Sequence, residues 1–381
     1  MKTPVLLVAN APHWLGTARI PRGLANAGFE VALLAPRNAL AEKSRFVAKI
    51  GCLPDGANQL QWVQAIAAMV EATSPRLVLP CDDLAFTLLS RLVLRPPAGL
   101  QPAVQARLAA LVRDSLGDPA FYRVSVDKTR LPAAAAALGV RVPPFTVAGS
   151  LDAAAAFAAE RGYPVVLKHS HGYAGQGVAI CRGPDDVARA FAFLAQPPAS
   201  GPATAVEILV QAHVAGRVQY HSIAAWEGRL LAGWAADQLH ASHGHRGPGT
   251  VTRYRRSPEV RGFVERLVRG FGITGLLGSE FIVDEATGEA HLLEINRRIT
   301  PGTHRGALIG VDLCAALYGA MHGRPSTSRA DLDPGEEGIA VMFPQEWLRD
   351  PASHYLRDFP VDVPWDEPEL VEAMLALRHD R

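Results

Sequence analysis

Residues 278–298 read G-S-E-F-I-V-D-E-A-T-G-E-A-H-L-L-E-I-N-R-R. Two apolar runs, Gly278 to Asp284 and His291 to Asn296, flank a polar turn from Glu285 to Glu289 and predict an antiparallel hairpin. Glu294 and Asn296 are two apart, so a strand presents both on one face, together with Leu292. If paired residue numbers sum to about 573 or 574, Glu280 stands opposite Glu294 on that face. Carboxylates opposed across a ladder repel. A divalent cation between them removes the repulsion. Two carboxylates and an amide oxygen are hard donors suited to Mg²⁺, which keeps waters and bridges to phosphates. A register slipped by one residue leaves instead a solvated polar face.

Well upstream, residues 165–178 read V-V-L-K-H-S-H-G-Y-A-G-Q-G-V. An apolar run ends at Lys168, and glycines follow at 172, 175 and 177. A P-loop places its lysine after the glycines, and a dinucleotide fingerprint leads from a strand into a helix. Here the lysine comes first, the spacing is G-x-x-G-x-G, and the run from Val178 to Cys181 is again strand-like. The unit reads as a hairpin flap. Its small residues let backbone N–H groups face an anion, and Lys168 adds a full charge. A merely flexible hairpin would use glycine in the same way. Joined to a Mg²⁺-binding hairpin, the flap makes the second half of a nucleoside triphosphate site.

The rest of the chain frames these two hairpins. Val5 to Ala9, Phe29 to Ala35 and Arg76 to Pro80 read as strands, and helical stretches at 16–27 and 60–72 alternate with them. That alternation predicts a parallel sheet covered on both faces. Asp82 and Asp83 follow the third strand, where open α/β sheets place ligands. They serve equally as caps for the helix beginning at Leu84. Helices are expected at 150–160, 185–194, 258–271 and 311–321, and residues 237–256 read as a long polar loop. His240, His243 and His245 lie in it, on glycine-bearing spacing poor for zinc. The 38 Lys+Arg against 37 Asp+Glu leave no basic excess for nucleic acid. Cys52, Cys81, Cys181 and Cys314 are far apart and read as reduced thiols. The apolar stretch near the N-terminus is shorter than the roughly 7–15 residues of a signal-peptide core. A soluble cytoplasmic protein that inserts in no membrane is expected.

Four stretches together resemble the ATP-grasp superfamily, notably its carboxylate–amine ligases: V-D-K-T (126–129), P-V-V-L-K (164–168) with the glycine loop, L-V-Q-A-H-V-A-G (209–216) and L-E-I-N-R-R (293–298). The resemblance covers roughly residues 1–325. It implies an α/β, ATP-grasp fold of two α+β subdomains gripping a nucleotide, with a Rossmann-like pre-ATP-grasp domain over 1–118. The ATP-grasp domain would run over 119–325, with a lid at about 144–212. Beyond the resemblance, residues 326–381 mix Pro, Asp and aromatic residues and read as a small C-terminal cap. The resemblance further implies that Lys128 and Lys168 contact phosphates, and that His171, Gly172, Gly175, Gln176 and Gly177 close over them. Gln211, Ala212, His213 and Val214 would form the hinge along the adenine edge, and Gln219 would bind ribose. Glu280, Glu294 and Asn296 would hold one or two Mg²⁺, or Mn²⁺, and Arg298 would face the phosphoryl group in flight. Three positions depart from the family pattern: Arg297 where E-I-N-P-R has proline, Ala212 where the hinge often has glutamate, and Gln219 where an acid binds ribose.

The chemistry implied is phosphorylation of a small-molecule carboxylate by ATP, followed by attack of an amine. Alternatives are a kinase- or carboxylase-type member, or a nucleotide-binding sensor without turnover. Arg253, Arg255 and Arg256, in R-Y-R-R, and His304 and Arg305, in T-P-G-T-H-R, are candidates for the substrate carboxylate. Two-fold dimers are the commonest assembly, and a homodimer is expected on that ground.

Overall fold

The computed structural model describes residues 2–54, 56–170, 177–196, 207–243 and 246–377, with only the backbone of His243 and Arg246. The chain begins with β1 (Thr3–Val8), α1 (Leu15–Ala27), β2 (Phe29–Pro36), β3 (Val47–Leu53), α2 (Gln59–Thr73), β4 (Leu77–Pro80), α3 (Asp83–Leu94) and α4 (Pro102–Leu116). These strands form a parallel sheet of order β3-β2-β1-β4. Val5, Leu6, Leu7 and Val8 are all buried, as a strand covered on both faces requires. Gly28 stops α1 at φ 115°, and a side chain there would collide with the Tyr318 ring.

Next come α5 (Leu131–Ala137), β5 (Phe145–Ala148), α6 (Leu151–Arg161), β6 (Val165–His169), β7 (Val178–Cys181), α7 (Pro184–Leu194) and β8 (Ile208–Ala212). They build an antiparallel sheet of order β5-β8-β6-β7. Val165, Leu167, Ile208 and Val210 of this sheet share one core with Phe157 of α6 and Val187 and Phe191 of α7. The chain continues through β9 (Gly216–Trp226), β10 (Arg229–His243), β11 (Arg246–Arg255), α8 (Pro258–Gly270), β12 (Gly275–Asp284) and β13 (Ala290–Asn296). It ends with α9 (Leu313–Met321), β14 (Glu337–Val341), α10 (Gln345–Arg349), α11 (Tyr355–Asp358) and α12 (Pro368–Ala376). A six-stranded sheet runs β13-β12-β9-β10-β11-β14.

The chain divides into two compact units. The first comprises 1–122, 220–279 and 296–381, and the second 123–219 and 280–295. Among the described residues no helix is long and apolar enough to cross a membrane.

The expected loop at 237–256 is instead β10 and β11, paired antiparallel from Ala235↔Arg255 to His243↔Arg246 with irregular register between Gln238 and His243. Its polarity misleads because β11 is held on both sides. Residues Val251–Arg255 also pair with Val341–Glu337 of β14, about 85 residues further on. A strand flanked on both edges needs few apolar side chains of its own, and buried Thr250 and Thr252 suffice here.

Candidate functional site

In the second unit, V-D-K-T is a tight turn knitted by Asp127. Its Oδ1 accepts from Thr129 N at 3.0 Å and Thr129 Oγ1 at 2.7 Å, and its Oδ2 accepts from Arg130 Nε at 3.1 Å. The Lys128 amide then donates to Ser170 O at 3.0 Å, which seats Lys128 at the root of the glycine hairpin. The hairpin is formed by β6 and β7, with Lys168 opposite Val178 and His169 N bonded to Gly177 O. Gly177 takes φ 73°. His171, Gly172, Gly175 and Gln176 lie outside the described residues.

Lys128 Nζ stands 3.2 Å from Glu294 Oε2. Lys168 is buried, and burial, the largest influence, pushes its ammonium down to about 8. Glu294 opposes that shift, Lys128 adds to it, and Glu280 opposes it. Two lysines and two carboxylates therefore act on one another within this unit. Among the described residues no group of three or more His, Cys, Asp or Glu could hold a metal. A pair of carboxylates fits Mg²⁺ all the same, because that ion keeps waters and takes its remaining ligands from phosphate oxygens.

The hinge stretch is anchored by Ala212 N to Pro144 O at 2.8 Å and His213 N to Pro164 O at 3.1 Å. Gln211 is buried, and its Nε2 has no hydrogen-bond partner among the described residues. Gln219 is buried as well.

In the first unit, three groups hold Arg298. Its Nε donates to Asp83 Oδ2 at 2.8 Å, its Nη2 donates to Asn296 Oδ1 at 3.1 Å, and its guanidinium lies 4.8 Å from the Trp14 ring centre. Asp82 and Asp83 divide the two roles read from the sequence. Asp82 caps α3 by accepting from Ala85 N at 2.9 Å, and it also holds the turn after β1 by accepting from Asn10 N and Ala11 N. Asp83 pairs with Arg298. Trp14 escaped the sequence reading, since nothing local to it signals a cation 284 positions away. Arg297 is buried, donates to Leu116 O at 2.6 Å and stacks over Phe86 at 5.2 Å, and burial pushes it down to about 10.

Arg253 is exposed on β11, Arg255 Nη1 lies 3.5 Å from Asp237 Oδ2, and Arg256 Nε lies 3.7 Å from Asp331 Oδ2. His240 packs edge-on against Tyr355, and His245 lies outside the described residues. His304 Nε2 bonds Asp362 Oδ2 at 2.8 Å. Burial and the nearby Arg19 push His304 down to about 4, so the neutral ring donates this bond. Burial alone would raise the Asp362 carboxyl, but Arg19 and the His304 bond hold it well below the usual range.

Residues 126–302 match the ATP-grasp domain family. The carbamoyl phosphate synthase large chain of Xanthomonas axonopodis pv. citri is 27% identical over 211 residues, 53% of this chain and 19% of that protein. The chain thus spans about a fifth of the length of the curated relatives it matches. Among solved structures, the biotin carboxylase domain of Hydrogenobacter thermophilus 2-oxoglutarate carboxylase, in complex with MgADP, ADP and bicarbonate, superposes with a TM-score of 0.64 at 18% identity. The match covers 87% of this chain and 73% of that one. N5-carboxyaminoimidazole synthetase of Staphylococcus aureus, complexed with ADP, gives 0.62 at 13% identity over 89% and 82% of the two chains. At these identities the likeness shows a shared fold.

Proposed function

We propose that this protein is an ATP-dependent ligase that activates a small-molecule carboxylate as an acyl phosphate and joins it to an amine. The observation that carries this reading is the meeting of Lys128, Lys168, Glu280 and Glu294 at the root of the glycine hairpin, inside an ATP-grasp domain. Lys128 and Lys168 neutralise nucleotide phosphates. The lid, at about 144–212, carries the glycine loop over them and supplies the hinge residues Gln211 to Val214 to the adenine edge. Glu280, Glu294 and Asn296 would hold Mg²⁺ or Mn²⁺, which would supply charge neutralisation to the transferring phosphoryl group. Arg298, already oriented by Asp83, Asn296 and Trp14, presents a planar cation to the same group.

The acid oxygen attacks the γ-phosphorus and ADP leaves with the bond electrons. The amine then attacks the acyl carbon, the C–O bond to phosphate breaks, and orthophosphate departs while the amine proton passes to solvent. A closed lid keeps water from the intermediate. The protein acts in the cytoplasm, and a homodimer is its assembly.

The names of both solved neighbours refer to carboxylation, which favours a second reading in which the acid is bicarbonate. One experiment separates these. Purified protein is incubated with Mg-ATP and pools of carboxylates and amines, and ADP, phosphate and products are followed by mass spectrometry. Amine-dependent release of ADP and phosphate supports the ligase, and incorporation of labelled bicarbonate supports the second reading. Tight nucleotide binding with no turnover against any pool leaves a sensor and refutes both.

A further inference from the structure

Within the second unit, the two backbones that meet at the Lys128–Glu294 pair are fixed, and the side chains between them can part. The Asp127 turn and the bond from Lys128 N to Ser170 O, at 3.0 Å, hold the lysine backbone at the root of the glycine hairpin. On the other side, Leu292 N donates to Arg141 O at 2.8 Å and Arg141 Nη1 donates to Ala290 O at 3.2 Å, which pins β13 just before Glu294. What is left to move is an ammonium on a flexible four-carbon stem, facing a carboxylate. The two side chains are 13% and 29% exposed, so solvent screens their 3.2 Å contact only in part.

The ammonium stands on the carboxylate that the metal needs. Glu280 and Glu294 both act electrostatically on Lys168. Carboxylates gathered around one point repel when nothing neutralises them. In the structure the cation 3.2 Å from Glu294 Oε2 is Lys128 Nζ. A divalent ion on that oxygen and the ammonium would be like charges around one carboxylate, and in a partly buried place they repel strongly. Glu294 can therefore serve one of them at a time. Nucleotide changes the competition. Its phosphates give the ammonium other anionic oxygens, and they give the metal further hard ligands.

We propose that Lys128 is a placeholder cation. It holds Glu294 while the nucleotide site is empty, and it moves to the phosphates when nucleotide arrives, which releases Glu294 to the metal. Metal and nucleotide affinities are then coupled, each raising the other by the same factor. The inference rests on the nucleotide and metal assignments above, and not on which reaction follows.

Manganese binding without nucleotide tests this apart from turnover. Mn²⁺ is titrated into wild type and Lys128→Met at fixed ionic strength, and the free ion is followed by electron paramagnetic resonance. Calorimetric titration of wild type with Mn-ADP runs alongside. Lys128→Met should bind Mn²⁺ at least about fivefold tighter than wild type, because no ion pair has to open first. In a Glu294→Gln background the same change should bring no gain, since the gain acts through that carboxylate. Should Lys128→Met not fold, Lys128→Gln carries the same comparison. If wild type binds Mn-ADP but Lys128→Met holds Mn²⁺ no tighter than wild type, the placeholder is overturned and the site assignment stands. A gain that persists in the Glu294→Gln background overturns it too, because any lost positive charge would then suffice. If wild type binds neither Mn²⁺ nor Mn-ADP, the site assignment falls and the placeholder with it.

Discussion

Lys168 ties nucleotide affinity to pH in an unusual window. Its ammonium, pushed down to about 8 by burial, is about 90% charged at pH 7 and about 10% charged at pH 9. If the charged form binds phosphate, the apparent dissociation constant scales as one plus ten to the power of pH minus pKa. That gives about a tenfold loss of Mg-ADP affinity between pH 7 and pH 9. Stability should move the other way. Between about 8 and 10.5 the unfolded chain holds a proton the native lysine has released, so the nucleotide-free protein gains stability as pH rises through that window. The assay is calorimetric titration of Mg-ADP at half-unit steps from pH 7 to 9, at constant ionic strength, paired with urea unfolding. Lys168→Arg, whose guanidinium does not titrate there, should flatten the affinity curve. A pH-independent wild-type affinity, or the same slope in Lys168→Arg, would refute the reasoning.

Three further outcomes are expected. Asp83→Asn frees Arg298 from its 2.8 Å ion pair and should lower turnover about tenfold while leaving Mg-ADP affinity unchanged, as steady-state kinetics and calorimetry would show. Affinity falling in step with turnover would contradict a positioning role. Asp362→Asn strands Arg19 and should cost about 3–5 kcal/mol in urea unfolding, because a buried charge loses its partner. Gly216→Ala would put a methyl group 2.0 Å from Val283 O and should destabilise by about 1–3 kcal/mol. A melting midpoint equal to wild type would show that the backbone yields there.

What is legible in the sequence follows the reach of the interactions that make it. The hairpins β6–β7 and β12–β13 can be read because both strands and the turn between them lie within about 20 residues. Gly28 marks the end of α1 because a left-handed residue is a local requirement. β11 cannot be read so, since its partner β14 arrives from a distant stretch with no sequence sign of pairing. The candidate site divides in the same way. Lys128, Lys168, Glu280 and Glu294 stand out as residue types inside motifs. Asp83 holding Arg298 across 215 positions does not, and an aspartate after a strand looks like a cap whichever role it plays. Arg297 is read as a departure from a motif, and only its packing on Phe86 and its bond to Leu116 O show how the chain accommodates it.

The clasp between Arg19 and Asp362 also has a consequence for biosynthesis. Its two ends lie 343 residues apart, and Leu370 and Met374 of α12 pack with Ala18 of α1 and Leu40 in the same region. On a ribosome adding roughly 5–20 residues per second, the first helix waits some 20–70 seconds for the carboxylate that completes it. The stretch 123–219 has meanwhile emerged whole and can condense around its own core. That stretch of the second unit can therefore settle first, and Glu280–Ile295 joins it later. A nascent chain stalled ahead of residue 362 would leave Arg19 hydrated and the apolar face around Ala18 and Leu40 uncovered.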